Sequence, residues 1–225
     1  MNYLFAPGCA LMLYKPQLVA KIHKFLNRHY GEMESSLTCC RHRPPIAPDR
    51  QFINICPGCD RRYRENYDRP STISLWELLA ESDIFVFPDY QRQQMTILDA
   101  CPTRNQDRIH RAVRTLADKM NISLVEPEKT KRNSTCCGDS LFGELPTEEV
   151  IGRMKEKAAE MPREEVIVYC VSCSQSMFLG GVQPRYLVDL LFAEETIPRT
   201  CDPDQWHREL DDFIDNHRNE EGKAS

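Results

Sequence analysis

Val166-Ile-Val-Tyr-Cys-Val-Ser-Cys173 is an apolar run that ends on a CxxC pair. Four apolar or aromatic residues followed at once by thiols read as a buried strand whose carboxyl end presents cysteine, and in parallel sheets ligands gather beyond such ends. Upstream, Thr135-Cys-Cys-Gly-Asp139 sets two adjacent thiols on a turn, and Met95-Thr-Ile-Leu98 leads through Asp99 and Ala100 to Cys101. Between Cys101 and Cys136 lie 34 residues, and between Cys137 and Cys170 lie 32. The first part of the chain repeats the order. Tyr3-Leu-Phe-Ala6 runs into Pro7-Gly8-Cys9, then come Cys39-Cys40, and Gln51-Phe-Ile-Asn-Ile55 runs into Cys56-Pro-Gly-Cys59. Ten of the eleven cysteines thus form two sets of five, and Cys201 is left over.

Helical patterns lie between these strands. Lys15-Pro16 opens a helix carrying Leu18, Val19, Ile22, Phe25 and Leu26 at helical spacing, with Gly31 as its stop. A polar helix follows Cys59, and Ile73 to Ala80 reads as a short buried helix. In the second half, Thr103 and Gln106 suggest a capping box before Ile109, Ala112, Val113, Leu116, Ala117 and Met120. Ile122 to Val125 reads as a strand, Thr147 begins another amphipathic helix, and Arg185 to Leu191 matches the Ile73 segment in place and character. Strands alternating with helices predict an α/β fold: two similar, pseudo-symmetric halves with short, largely parallel sheets flanked by helices and metal sites at the strand C-terminal ends. Gene duplication accounts for the parallel most simply. The expected divisions are 1–92, 93–200 and an acidic terminal helix and tail over 201–225, with the two cysteine sites facing each other across the joint.

A chain of 225 residues can bury a core without disulfide staples, so its cysteines call for another explanation. The N-terminus lacks a basic region ahead of a long apolar run, and no segment nears the roughly 18–20 apolar residues of a transmembrane span. A cytoplasmic protein is expected, and in a reducing compartment paired cysteines bind metal or do redox chemistry. The net charge of −5 is uneven: residues 1–70 carry 11 basic against 6 acidic side chains, and residues 194–225 carry 4 against 10. No uniformly basic face follows, which argues against nucleic acid as a partner. Arg41, His42 and Arg43 follow one cysteine pair, and Arg61, Arg62 and Arg64 follow another. They read either as a solvated surface or as a cationic rim for a small anionic substrate.

Zinc held by Cys56, Cys59, Cys170 and Cys173 would explain two CxxC pairs and leave six cysteines in matched positions unexplained. An ordinary ferredoxin cluster predicts a compact run of short gaps ending in Cys-Pro, and a thioredoxin-like dithiol explains one CxxC alone. Five thiols per site exceed the needs of zinc or a cubane, so an unusual iron–sulfur cluster fits the count better. No dinucleotide fingerprint follows the first strand, so electrons would come from a protein partner.

The doubled pattern C…CCG…CxxC resembles the cysteine-rich CCG domain found in the catalytic subunit of heterodisulfide reductase and in components of glycerol-3-phosphate, lactate and glycolate oxidation systems, over residues 1 to about 193. The resemblance implies a noncubane [4Fe-4S] cluster, one or two per chain. Its ligands would be Cys101, Cys136, Cys137, Cys170 and Cys173 in the second set and Cys9, Cys39, Cys40, Cys56 and Cys59 in the first. It implies an iron–sulfur thiol–disulfide oxidoreductase of anaerobic metabolism, with a small-molecule disulfide or thiol as substrate and a ferredoxin-like iron–sulfur subunit as electron donor. The alternative is a non-catalytic electron-transfer subunit of a dehydrogenase complex. Arg41, Arg43 and Arg104 are candidates for binding an anionic substrate, and His42 and His110 for moving protons. The first set departs from the pattern, since Arg41 stands where glycine is expected and only 15 residues separate Cys40 from Cys56. Zinc therefore stays possible there.

Overall fold

The computed structural model describes residues 2–36, 50–66, 71–200 and 202–217. Cys39, Cys40, Arg41, His42, Arg43 and Cys201 lie outside the described residues. The chain forms two compact units, Met1–Leu75 with His207–Ser225, and Trp76–Trp206.

The first unit runs β1 (Asn2–Ala6), α1 (Cys9–Tyr14), α2 (Pro16–Tyr30), β2 (Glu34–Ser35), β3 (Arg50–Asn54), α3 (Pro57–Asn66) and β4 (Ser71–Ser74), and α4 (Leu75–Ala80) begins at its edge. The second runs β5 (Gln94–Leu98), α5 (Asp107–Lys119), β6 (Ser123–Val125), α6 (Thr147–Ala159), β7 (Glu165–Val168), α7 (Val171–Leu179), β8 (Gln183–Tyr186) and α8 (Leu187–Leu191). α9 (Pro203–His217) follows. Each unit holds one four-stranded, wholly parallel sheet, ordered β2-β1-β3-β4 and β6-β5-β7-β8. The two orders are the same once each strand is matched to its counterpart, which is the fold of two similar α/β halves expected from the sequence.

The central strands are apolar because both of their faces are covered. Phe5, Ile53, Ile97 and Val166 to Val168 are fully buried, beneath helices that contribute Leu18, Ile22 and Leu26 in one unit and Ile109, Val113 and Leu116 in the other. Ile73 and Ser74 belong to β4 and not to the helix expected from Ile73, because β4 pairs with β3 in register Ile53↔Ile73. The matching segment behaves alike: Arg185 and Tyr186 close β8 before α8 starts.

Residues 76–92 are held by the second unit. Phe85 packs edge-on against Phe192 at 5.9 Å, Tyr90 donates its hydroxyl to the Leu190 carbonyl at 2.8 Å, and Lys119 donates to the Ser82 carbonyl at 2.8 Å. Asp202 caps α9 by accepting the Asp204 amide at 2.9 Å. Within the first unit the far end of α9 packs Ile214, Leu210 and Phe213 against Cys9. Among the described residues no helix is long and apolar enough to cross a membrane.

Candidate metal centre

In the order β6-β5-β7-β8, β5 and β7 are neighbours whose onward connections leave toward opposite edges of the sheet. The crevice at their carboxyl ends is the topological switch point, where doubly wound sheets bind ligands. Cys101 begins the 3-10 turn that follows β5, and Cys170 caps α7 directly after β7. Cys173 lies in the first turn of α7, where the helix dipole favours negative charge.

The remaining pair arrives on the loop before α6. Gly138 has φ +106, a conformation open to glycine and strained for other residues. A Cβ there would stand 2.9 Å from Met154 Cγ and 3.2 Å from the Met154 amide nitrogen, so the absence of a side chain lets the turn lie directly on α6. This explains the glycine after the paired cysteines. It also turns Cys136 and Cys137 back toward the strand ends.

The five thiols of the second set are near neighbours: Cys173 donates to Cys137 at 3.4 Å between sulfurs, and Cys101, Cys136 and Cys170 lie close enough to this pair for the thiols to perturb one another. Cys136 also lies 3.0 Å from the Ser140 hydroxyl and accepts the Gly138 amide at 3.4 Å. The hydrogen bonds from Cys101 and Cys137 hold Cys136 far below the ordinary thiol range. The same negative sulfur pushes Cys101 and Cys137 up, and hydrogen bonds to Cys137 and Cys170 push Cys173 up. Cys137 and Cys173 are buried, whereas Cys101, Cys136 and Cys170 are half-buried and form the open side.

Among the described residues every cysteine is a free thiol, and no group of three or more His, Cys, Asp or Glu is arranged to hold a metal ion. Thiolates around one tetrahedral zinc stand about 3.8 Å apart, from a Zn–S bond of about 2.3 Å. Cys137 and Cys173, at 3.4 Å, have closed on each other. Five soft donors from three separate segments, open on one side, match in chemistry a sulfide-bridged iron group; holding one requires the sulfurs to move apart.

A buried polar hub stands behind the thiols. Asp99 Oδ2 accepts the Lys131 amide at 2.6 Å and Arg114 Nη2 at 2.8 Å, and its carbonyl accepts the Ser134 hydroxyl at 2.8 Å. Tyr169 donates to Asp99 Oδ1 at 3.2 Å, and its oxygen accepts the Ala100 amide at 3.0 Å. Burial raises the Asp99 carboxyl, but the bonds and charge of Arg114 outweigh it and hold the group below the usual carboxylate value. Burial, with the Asp99 charge, pushes the Tyr169 phenol well up, so it stays a donor.

Thr103 joins this hub and not the capping box expected of it. Its hydroxyl donates to the Ala100 carbonyl at 2.8 Å and lies 2.8 Å from Tyr169 Oη, because its 3-10 turn folds inward ahead of α5. His110 is buried behind the same turn, with Nε2 3.3 Å from Thr103, and burial lowers its pKa. It stands in the core behind the turn that begins at Cys101. Arg104 is exposed, and it donates to the Ser134 carbonyl at 3.3 Å, two residues before Cys136.

In the first unit Cys9 follows β1 and Cys56 follows β3, the corresponding pair of central strands. The Asp60 amide donates to the Cys56 carbonyl at 3.0 Å, as Ser174 does to Cys170 at 3.2 Å, so both CxxC pairs open their helices in the same way. Gly8, with φ +85, lies so close that a Cβ would stand 3.1 Å from Cys56 Cβ and 3.5 Å from Cys59 Sγ. Buried Asp60 bonds Asn54 at 2.8 Å and Thr72 at 2.6 Å, and draws Arg64 inward at 3.0 Å. Arg61 stands 3.8 Å from Glu65, so two of the three α3 arginines expected in a cationic rim have acidic neighbours on their own helix.

No family model and no curated protein matches the chain. Among solved structures, aspartate racemase from Picrophilus torridus aligns over 96% of this chain and 100% of its own, at 8% identity and a TM-score of 0.36.

Proposed function

We propose that this chain is the disulfide-handling component of an iron–sulfur thiol–disulfide oxidoreductase, similar to the catalytic subunit of heterodisulfide reductase. Cys101, Cys136, Cys137, Cys170 and Cys173 would hold one noncubane [4Fe-4S] cluster, and Cys9, Cys39, Cys40, Cys56 and Cys59 the other. The observation that carries this reading is the convergence of the second set's five thiols, from three segments, at the carboxyl ends of the central strands β5 and β7, with Cys137 and Cys173 3.4 Å apart.

Bound there, such a group supplies single electrons to sulfur. The protein's part is to anchor it through buried Cys137 and Cys173 and to leave the side of Cys101, Cys136 and Cys170 open to a small disulfide. The α7 N-terminus favours the negative charge of the thiolates. Arg104, held to the Ser134 carbonyl, offers a cation to a carboxylate or sulfonate on the substrate. Cleaving the disulfide takes up two electrons and two protons and releases two thiols, so a ferredoxin-like partner must deliver one electron twice.

The test is to reduce the reconstituted chain anaerobically, add a panel of anionic disulfides, and follow the electron paramagnetic resonance signal. A new signal that depends on disulfide, weakened by Arg104→Ala, is expected. A signal indifferent to every disulfide would instead assign the chain to electron relay alone.

A further inference from the structure

We infer that Asp99 and Tyr169 are positioning residues that set the second thiol group in place. This rests on the cluster reading above. The three segments that carry the five thiols share no covalent neighbourhood, yet each is tied to the hub within one to five residues of its cysteine. Asp99 and Ala100 precede Cys101; Lys131 and Ser134 precede Cys136; Tyr169 precedes Cys170. The Asp99 carboxylate receives the amide of the second segment and the hydroxyl of the third, and the Tyr169 oxygen receives the amide of the first. With Asp99 2% exposed and Tyr169 fully buried, water cannot replace these bonds.

The equivalent positions in the first unit cannot build such a hub. Pro7 stands where Asp99 stands, two residues before the cysteine that follows the central strand, and Ile55 stands where Tyr169 stands. There Gly8 lies against Cys56 and Cys59, Ile55 is fully buried, and buried Asp60, next to Cys59, bonds Asn54 and Thr72. Residues that orient ligands from behind typically change metal retention by about 10- to 100-fold when altered.

The experiment compares the wild-type full chain with Tyr169→Phe, which removes one oxygen and keeps the ring. Metal-free protein is alkylated anaerobically with iodoacetamide under native conditions, and each cysteine is read by peptide mass spectrometry. Tyr169→Phe is expected to speed modification of Cys137 and Cys173 by at least about tenfold while Cys9 and Cys59 stay at the wild-type rate. In the iron-loaded form, iron release to a chelator should become about 10- to 100-fold faster for one cluster only. Unchanged rates, or equal acceleration at all cysteines, would overturn the assignment by leaving the hub either idle or merely stabilising. Should Tyr169→Phe not fold, Ser134→Ala, which cuts the 2.8 Å bond between the Cys136 loop and the Asp99 carbonyl along with a local 3.4 Å contact to the Thr135 carbonyl, decides by the same readout. The alkylation pattern needs no metal, so a failure of the cluster reading shows as absent iron with the hub effect intact.

Discussion

Replacing Gly138 by alanine tests why the paired cysteines are followed by glycine. Its φ of +106 lies where a side chain strains the backbone, at about 1–2 kcal/mol. The added methyl would also meet Met154 Cγ at 2.9 Å and the Met154 amide at 3.2 Å. The thioether can swing away, but the α6 backbone cannot, so overpacking adds about 1–3 kcal/mol. Gly143 provides the control: its φ is +82, and nothing lies within 4 Å of where its Cβ would be. Gly143→Ala should cost about 1–2 kcal/mol from backbone strain alone. Urea unfolding of the metal-free chain should place Gly138→Ala about 1 M below Gly143→Ala in midpoint, for a slope of about 2 kcal/mol per molar. Equal midpoints for the two variants would refute the argument that the turn rests on α6.

Three further outcomes follow from the same geometry. Gly8→Ala should push the turn away from Cys56 and Cys59, and mass-spectrometric alkylation should find Cys59, now 2% exposed, more reactive with the second set unchanged. Ile214→Ala, at a site 4% exposed and packed on Cys9, should destabilise the first unit by about 2–4 kcal/mol in denaturant and raise the reactivity of Cys9. Glu126 is raised by burial but lowered further by the hydrogen bonds of Arg114 and Thr130, so its net pKa lies below the ordinary 4.5. Its contribution to stability is complete above that value and lost as pH falls through the folded one. Glu126→Gln should therefore flatten the decline in thermal midpoint below about pH 4.5, and an unchanged acid limb would contradict the pairing.

The central strands were legible because burial on both faces makes them apolar throughout: the segments ending at Ala6, Ile55, Leu98 and Tyr169 all lead into cysteine. Of their partners at the sheet edges, Ser123–Val125 was legible and the other three were not. Glu34–Ser35, Ser71–Ser74 and Gln183–Tyr186 pair on one side only and carry serine, glutamate, glutamine and proline, so neither alternation nor hydrophobicity marks them. Pairing with an existing strand, which is nonlocal, makes them strands.

The candidate site was legible as a series of cysteines in order, since thiol spacing survives in one dimension. The hub was not. Asp99 and Tyr169 lie 70 residues apart, and their bond depends on β5 and β7 being neighbours. A charged residue at the end of an apolar strand was the available hint. Thr103 misled for a related reason: its hydroxyl had a buried partner to prefer over the helix terminus.

The most direct measurement is iron and acid-labile sulfide per chain after anaerobic reconstitution, for the wild type and for Cys137→Ser with Cys173→Ser. The account predicts about eight irons with matching sulfide, or about four if only the second set loads, and a loss of about four in the double variant. Zinc without sulfide, or iron uptake indifferent to the loss of Cys137 and Cys173, would contradict it.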